Sequence, residues 1–66
     1  MKTLFDVQNL LKRFGSFIYT GNRKADLELM QGEIQELFQN GMIDTDDFRQ
    51  ATLILRSEIN KQDKLN

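Results

Sequence analysis

Apolar residues recur along the chain at intervals of three and four positions, the period of an amphipathic α-helix. The pattern occurs three times, over residues 4–14, 23–39 and 45–60. The apolar stripes consist of Leu4, Val7, Leu10, Leu11 and Phe14 in the first stretch, Leu27, Met30, Ile34, Leu37 and Phe38 in the second, and Phe48, Ala51, Thr52, Leu55 and Ile59 in the third. Three amphipathic helices with short connections predict an all-α fold, a three-helix bundle. We expect a single domain over residues 1–66, in which the polar residues 61–66 form a frayed tail.

Residues that start and stop helices stand at the borders of these stretches. Thr3, Asn22 and Asp44 have side-chain oxygens that can accept hydrogen bonds from the free amides of a helical first turn. Gly15 and Gly41 follow the first two stretches, and glycine suits the left-handed position just after a helix. Helix 1 is therefore predicted to begin after Thr3, helix 2 after Asn22 and helix 3 after Asp44.

Four apolar residues lie away from the core faces of their predicted helices, which turn by about 100° per residue. They are Phe5, Leu29, Leu53 and Ile54. Two interpretations remain open. Short helices around a wide core leave single apolar residues exposed, which is normal. Alternatively, these residues form an interface, either with a protein partner or between copies of a homo-oligomer.

Composition excludes most catalytic and metal-binding chemistry. The 66 residues include no cysteine and no histidine, so disulfides, the usual zinc sites and the commonest general base are missing. We therefore expect a protein that is not an enzyme and that holds no cofactor or metal ion. The charged N-terminal segment does not resemble a signal peptide, and no apolar run reaches the roughly 20 residues that cross a bilayer. We expect a cytoplasmic protein that does not bind membranes.

The acidic residues in the middle of the chain match no known metal or DNA motif. Glu33 and Glu36 are one helical turn apart, but a di-iron carboxylate site needs a histidine at such a spacing. If Asp44 began an EF-hand loop, Arg49 would stand where glycine is required and Leu55 where glutamate is required. Aspartates at the start of helix 3 would also repel phosphate in a DNA-reading helix-turn-helix. We interpret these acids as helix caps and a solvated face.

Charge is strongly segregated along the chain, although the formal net charge is only −1. Residues 1–24 contain five basic and one acidic side chain, residues 25–48 seven acidic and no basic ones, and residues 49–66 four basic and two acidic ones. Arg23 and Lys24 fall in the first turn of helix 2, where cations oppose the helix dipole. A local cost without an evident compensation is typical of a functional site.

Basic residues around the first loop alternate with aromatic ones, as in surfaces that bind single-stranded nucleic acid. The predicted binding residues are Lys12, Arg13, Tyr19, Gly21, Arg23 and Lys24. The cations and the backbone amides after Gly21 would contact phosphates, and Tyr19 would stack on a base of single-stranded RNA or DNA. A purely structural interpretation also stands. It expects Phe17 and Ile18 to pack over the end of the bundle and Arg23 to pair with an acidic residue.

Several segments resemble, in the same order, the YqgQ-like family of short Gram-positive bacterial proteins. The similarity includes Phe5-Asp-Val, Leu10-Leu-Lys-Arg-Phe-Gly15, Tyr19-Thr-Gly-Asn-Arg-Lys-Ala-Asp-Leu-Glu-Leu-Met30, and the stretch from Ile43 to Leu55. The resemblance implies a small, helical, cytoplasmic protein, and it suggests single-stranded nucleic-acid binding. It implies no catalytic residues.

Overall fold

The computed structural model describes residues 1–65 and contains three helices in that range. Helix α1 spans Leu4–Arg13, α2 spans Arg23–Gln39 and α3 spans Thr45–Leu65. The prediction of an all-α three-helix bundle is confirmed. Helices α2 and α3 form the most extensive pair, and α1 packs against both of them less extensively. The molecule measures 36 × 21 × 18 Å, and the 21 residues of α3 are about 32 Å long at 1.5 Å per residue.

The predicted residues cap the N-termini of all three helices. The Thr3 hydroxyl accepts a hydrogen bond from the Asp6 amide, and the Asp6 carboxylate accepts one from the Thr3 amide, which completes a capping box. The Asn22 side chain accepts from the Ala25 amide at 2.9 Å. Asp44 Oδ1 accepts from the amide at position 47 at 2.8 Å. These contacts fix where each helix begins.

Two glycines end α1 and α2 in the same way. Gly15 and Gly41 have φ angles of +83° and +72°, in the left-handed region that glycine adopts readily. The amide of Ser16 reaches back to the carbonyl of Leu11 at 2.9 Å, and the amide of Met42 reaches the carbonyl of Leu37 at 2.8 Å. Both helices therefore end in a Schellman motif, as the position of each glycine predicts.

Helix α3 is longer than predicted, since it ends at Leu65 and not near residue 60. The expected frayed tail is therefore helical through residue 65, and its last residue, Asn66, lies outside the described residues. Lys61 contacts Glu58 one turn earlier at 3.4 Å, and Asp63 contacts Lys24 of α2 at 2.7 Å. These charged contacts are made by residues that follow the last apolar core position of α3, and they stabilise its final turns.

The core is built from the predicted stripes together with one residue of the second connection, but the prediction that Phe14 belongs to it is wrong, because Phe14 follows the last turn of α1 and is exposed. The buried apolar residues of the core are Val7, Leu10, Leu11, Leu27, Met30, Ile34, Ile43, Ala51 and Leu55. Ile54, which we expected to point away from the core, is partly buried and packs against this cluster. That prediction is wrong because α3 contacts neighbours on two sides, so its buried face is wider than one stripe. The rings of Phe38 and Phe48 stack with centroids 4.2 Å apart, where the corner between α2 and α3 closes.

None of the helices within residues 1–65 is long and apolar enough to cross a membrane.

Candidate nucleic-acid interface

The loop between α1 and α2 is anchored to α2 near both of its ends. The Ser16 hydroxyl donates to Glu33 Oε2 at 3.2 Å. Asp26 Oδ1 accepts from the Thr20 amide at 2.7 Å and from the Thr20 hydroxyl at 2.6 Å, and the Asp26 side chain is buried. A buried carboxylate with two hydrogen-bond donors is well satisfied. The loop is therefore held in one position relative to α2.

Successive side chains of the anchored loop point in opposite directions. Ile18 packs against the core, whereas its neighbours Phe17 and Tyr19 are 76% and 77% exposed. Alternation of this kind is the geometry of an extended segment. Our expectation that Phe17 packs over the end of the bundle is wrong, because Ile18 alone fills that position. Two aromatic rings are consequently presented to solvent by one short segment.

Two cations lie beside these rings. The Lys12 ammonium is 5.7 Å from the centre of the Phe17 ring, in a cation–π contact. Lys12, Phe17 and Tyr19 line one groove, and Tyr19, Gly21 and Arg23 line the groove next to it. Because Tyr19 borders both grooves, the five residues form one continuous surface. We call this set the loop surface.

Arg13 lies elsewhere. It borders a different groove, on the side of α1 that faces the start of α3, together with Lys2 and Asp47. The neighbouring positions Lys12 and Arg13 are separated by about 100° around the helix axis. The two grooves therefore bring together four of the six predicted residues, Lys12, Tyr19, Gly21 and Arg23, and they include neither Arg13 nor Lys24.

Acidic residues of α3 compensate the two cations at the start of α2. Arg23 lies 3.8 Å from Glu58, and the Lys24 ammonium lies 2.7 Å from an Asp63 carboxylate oxygen. The hydrogen bond and charge of Asp63 raise the pKa of Lys24 above its ordinary value. Our expectation that these cations have no compensation is therefore wrong, and the alternative prediction that Arg23 pairs with an acidic residue is confirmed. All four side chains are at least partly exposed, and exposed ion pairs contribute about 0–1 kcal/mol, so a ligand can compete for the cations.

The backbone amides after Gly21 are less available to an anion than expected. Gly21 has a φ angle of +88° and leads the chain into α2. The amide of Asn22 donates to the Thr20 hydroxyl at 3.3 Å, and the amide of Ala25 donates to the Asn22 side chain. The capping contacts thus use two of the amides that a phosphate would need.

Three of the four residues that were predicted to form a protein interface are exposed, but they do not share one helix. Phe5, Leu29 and Leu53 are largely exposed, but each belongs to a different helix. Ile54 packs against the core and is not a free surface residue. Single exposed apolar residues are ordinary on a small domain.

Neither the Thr20–Asp26 contact nor the acidic partner of Arg23 was identified from the sequence. The Thr20–Asp26 pair joins the loop to the first turns of α2, and a threonine just before the helix cap with an aspartate six positions later is the local signal for it. The pairing of Arg23 with Glu58 joins positions 35 residues apart and depends on how α2 and α3 pack. Within residues 1–65, no three acidic side chains are grouped closely enough to hold a metal ion.

Comparison with known proteins identifies the family. The family model described as YqgQ-like matches residues 1–61. A Bacillus subtilis (strain 168) protein named uncharacterized protein YqgQ is 42% identical over 59 residues, which cover 89% of this chain and 83% of the relative. The family match spans all of α1 and α2 and most of α3, including the whole loop surface. The chain therefore belongs to the YqgQ-like family.

Proposed function

We propose that this protein is a small non-enzymatic binding protein whose loop surface binds single-stranded RNA or DNA without strong sequence preference. The observation that carries the proposal is the exposure of Phe17 and Tyr19 on one anchored segment, between the cations Lys12 and Arg23. Aromatic rings beside phosphate-binding cations are the two components of sequence-tolerant single-strand binding. The cysteine-free composition is consistent with action in the cytoplasm.

Each residue of the loop surface has a distinct role in this proposal. Tyr19 stacks on a base, which contributes about 1–3 kcal/mol per stacked base. Phe17 offers a second ring, one face of which is already covered by Lys12. Lys12 and Arg23 contact phosphates. Lys24 lies outside the loop surface, in the first turn of α2, and adds a contact when it leaves Asp63. Gly21 holds the chain in the turn that brings Tyr19 beside Arg23.

The number of phosphate contacts sets the salt dependence of binding. On a single strand, each phosphate contact makes the logarithm of the binding constant fall by about 0.7 for each tenfold increase in salt concentration. Two to three contacts therefore give a slope of roughly −1.4 to −2. Binding is therefore expected to be modest at low salt and nearly lost at high salt. The acidic middle of the chain, residues 25–48, repels phosphate and restricts the strand to the basic side of the molecule.

The test is a fluorescence-anisotropy titration of labelled oligo-dT and oligo-U at two salt concentrations. The double variant Lys12→Gln/Arg23→Gln removes two charges from the loop surface. The control Lys2→Gln/Arg13→Gln removes the same number of charges from the groove beside α3. A third variant, Tyr19→Ala, removes the only tyrosine of a chain without tryptophan.

We expect the loop-surface double variant and Tyr19→Ala to weaken binding at least tenfold, and the control to change it less than twofold. Circular dichroism of each variant verifies that the helices are intact. Absence of binding by the wild type at low salt would refute the proposal. So would equal losses in the loop variant and the control, because these would indicate attraction by overall charge alone.

The second candidate function is a protein-interaction module or homo-oligomer that uses Phe5, Leu29 and Leu53. Its support is their exposure, and it ranks second because the three residues lie on three different helices. Sedimentation equilibrium at high concentration tests self-association. A strictly monomeric protein would restrict this candidate to a foreign partner.

A further inference from the structure

The outer face of α3 carries a second group of cations. Arg56, Lys61 and Lys64 are exposed and line one shallow groove together with Leu53. Their spacing places them within less than half of the helix circumference. We call these three cations the α3 face. About 12 Å of helix separates Arg56 from Lys64, at 1.5 Å per residue.

The acidic residues of this part of α3 do not oppose a polyanion there. Glu58 is the only acid in residues 48–62, and its carboxylate contacts both Arg23 at 3.8 Å and Lys61 at 3.4 Å. Asp63 is paired with Lys24. Two carboxylates thus stand against five cations, namely Arg23, Lys24, Arg56, Lys61 and Lys64, so three positive charges remain in excess among these residues.

Glu58 also connects the two basic surfaces. Arg23 belongs to the loop surface and Lys61 to the α3 face, and one carboxylate lies within 4 Å of both cations. The basic surfaces are consequently adjacent, and a strand that passes Arg23 meets Lys61 next. Each residue of this connection is exposed or partly exposed.

We propose that a single strand bound at the loop surface continues onto the α3 face, where Arg56, Lys61 and Lys64 contact its phosphates. This inference rests on the proposed function and extends its footprint to a longer oligonucleotide. A nucleic acid fits the face better than a membrane does, because Leu53 is the one large apolar residue among the described residues that line this groove, and binding at a membrane interface needs a broad apolar face. Three further contacts make the salt slope for a long strand steeper by about 2.

The test compares oligo-dT of 4 and of 14 nucleotides, which span the range of single-strand site sizes, about 4–16 nucleotides. The variant Arg56→Gln/Lys64→Gln removes two charges from the α3 face. The control Lys2→Gln/Arg13→Gln removes two charges from the separate groove between α1 and the start of α3. Each protein is titrated at several salt concentrations and checked by circular dichroism.

We expect the α3-face variant to bind the 14-mer roughly fivefold more weakly, with a salt slope smaller by about 1.4 for two lost contacts. Its affinity for the 4-mer and both affinities of the control should stay within twofold of wild type. An unchanged 14-mer affinity, or an equal loss in the control, would overturn the inference. Failure of the wild type to bind either oligonucleotide would instead overturn the proposed function.

Discussion

The carboxylate of Asp26 accepts two hydrogen bonds from Thr20, one from its amide at 2.7 Å and one from its hydroxyl at 2.6 Å. One side chain of α2 thereby holds the end of the loop that carries Tyr19. A hydrogen bond to a charged group contributes about 1.5–3 kcal/mol, more than a neutral one. The exposed aromatic residues of the loop thus depend on a buried polar contact.

Replacement of Thr20 by valine should destabilise the protein by about 1–2 kcal/mol, because one charge-assisted hydrogen bond is lost and the amide contact remains. Urea denaturation followed by circular dichroism measures the change. Thr45→Val, at an exposed position in the first turn of α3, is the matched control and should change stability by less than about 0.5 kcal/mol. Equal stability of Thr20→Val and wild type would show that the hydroxyl does not hold the loop.

The core substitution Ile34→Ala should reduce the free energy of unfolding by about 2–5 kcal/mol, because Ile34 has no exposed surface and its loss leaves a cavity. Leu53→Ala is the control, since Leu53 is 58% exposed and should lose only a few tenths of a kcal/mol, within the roughly 0.5 kcal/mol usual for surface changes. Chemical denaturation of the two variants gives both values. A small loss for Ile34→Ala would contradict the orientation of α2.

Helix α2 should become more stable when Gly32 is replaced by alanine. Apart from its chain neighbours and the nearby backbone of its own helix, a Cβ atom at this position would meet no atom within 4 Å, and the residue is exposed in the interior of the helix. The expected gain is about 0.5–1 kcal/mol, because alanine loses less backbone entropy on folding. The contrasting variant is Gly21→Ala, which should destabilise the protein because φ at Gly21 is +88°. A loss of thermal stability in Gly32→Ala would contradict the open surroundings of this residue.

The capping box of α1 should lose its effect in acid. Hydrogen bonds from the amides of Lys2 and Thr3 lower the pKa of Asp6 below its ordinary value of 3.8. Because the folded pKa is below the unfolded one, the stabilisation is complete above the unfolded pKa and is lost as pH falls through the folded pKa. Wild type should therefore be more stable than Asp6→Ala near neutral pH, and the difference should disappear well below pH 3.8. A difference that is independent of pH would show that the charge of Asp6 does not matter.

Local chemistry in the sequence was sufficient to predict where the helices begin and where α1 and α2 end. Thr3, Asn22 and Asp44 act through atoms within three residues, and Gly15 and Gly41 act within their own turns. The helical stripes likewise indicated the core, since burial follows the period of the helix.

The sequence was insufficient where the outcome depended on packing between helices. The partners of Arg23 and Lys24 are set by the position of the last turns of α3, which no local pattern encodes. Phe17 and Ile18 are neighbours of similar hydrophobicity, and only the path of the anchored loop decides which of them enters the core. The direction in which Arg13 points was predictable from helical geometry, but the charge pattern alone had grouped it with Lys12.

Because the loop is anchored to α2, the loop loses its conformational entropy when the protein folds and not when a ligand binds. Ser16 and Thr20 fix the segment that carries Phe17 and Tyr19 while the protein folds, and ordering each backbone residue costs about 1–2 kcal/mol. A ligand that stacks on these rings meets them already in position. Association then requires no coupled folding of the loop, and its heat-capacity change reflects only the apolar surface that the ligand covers.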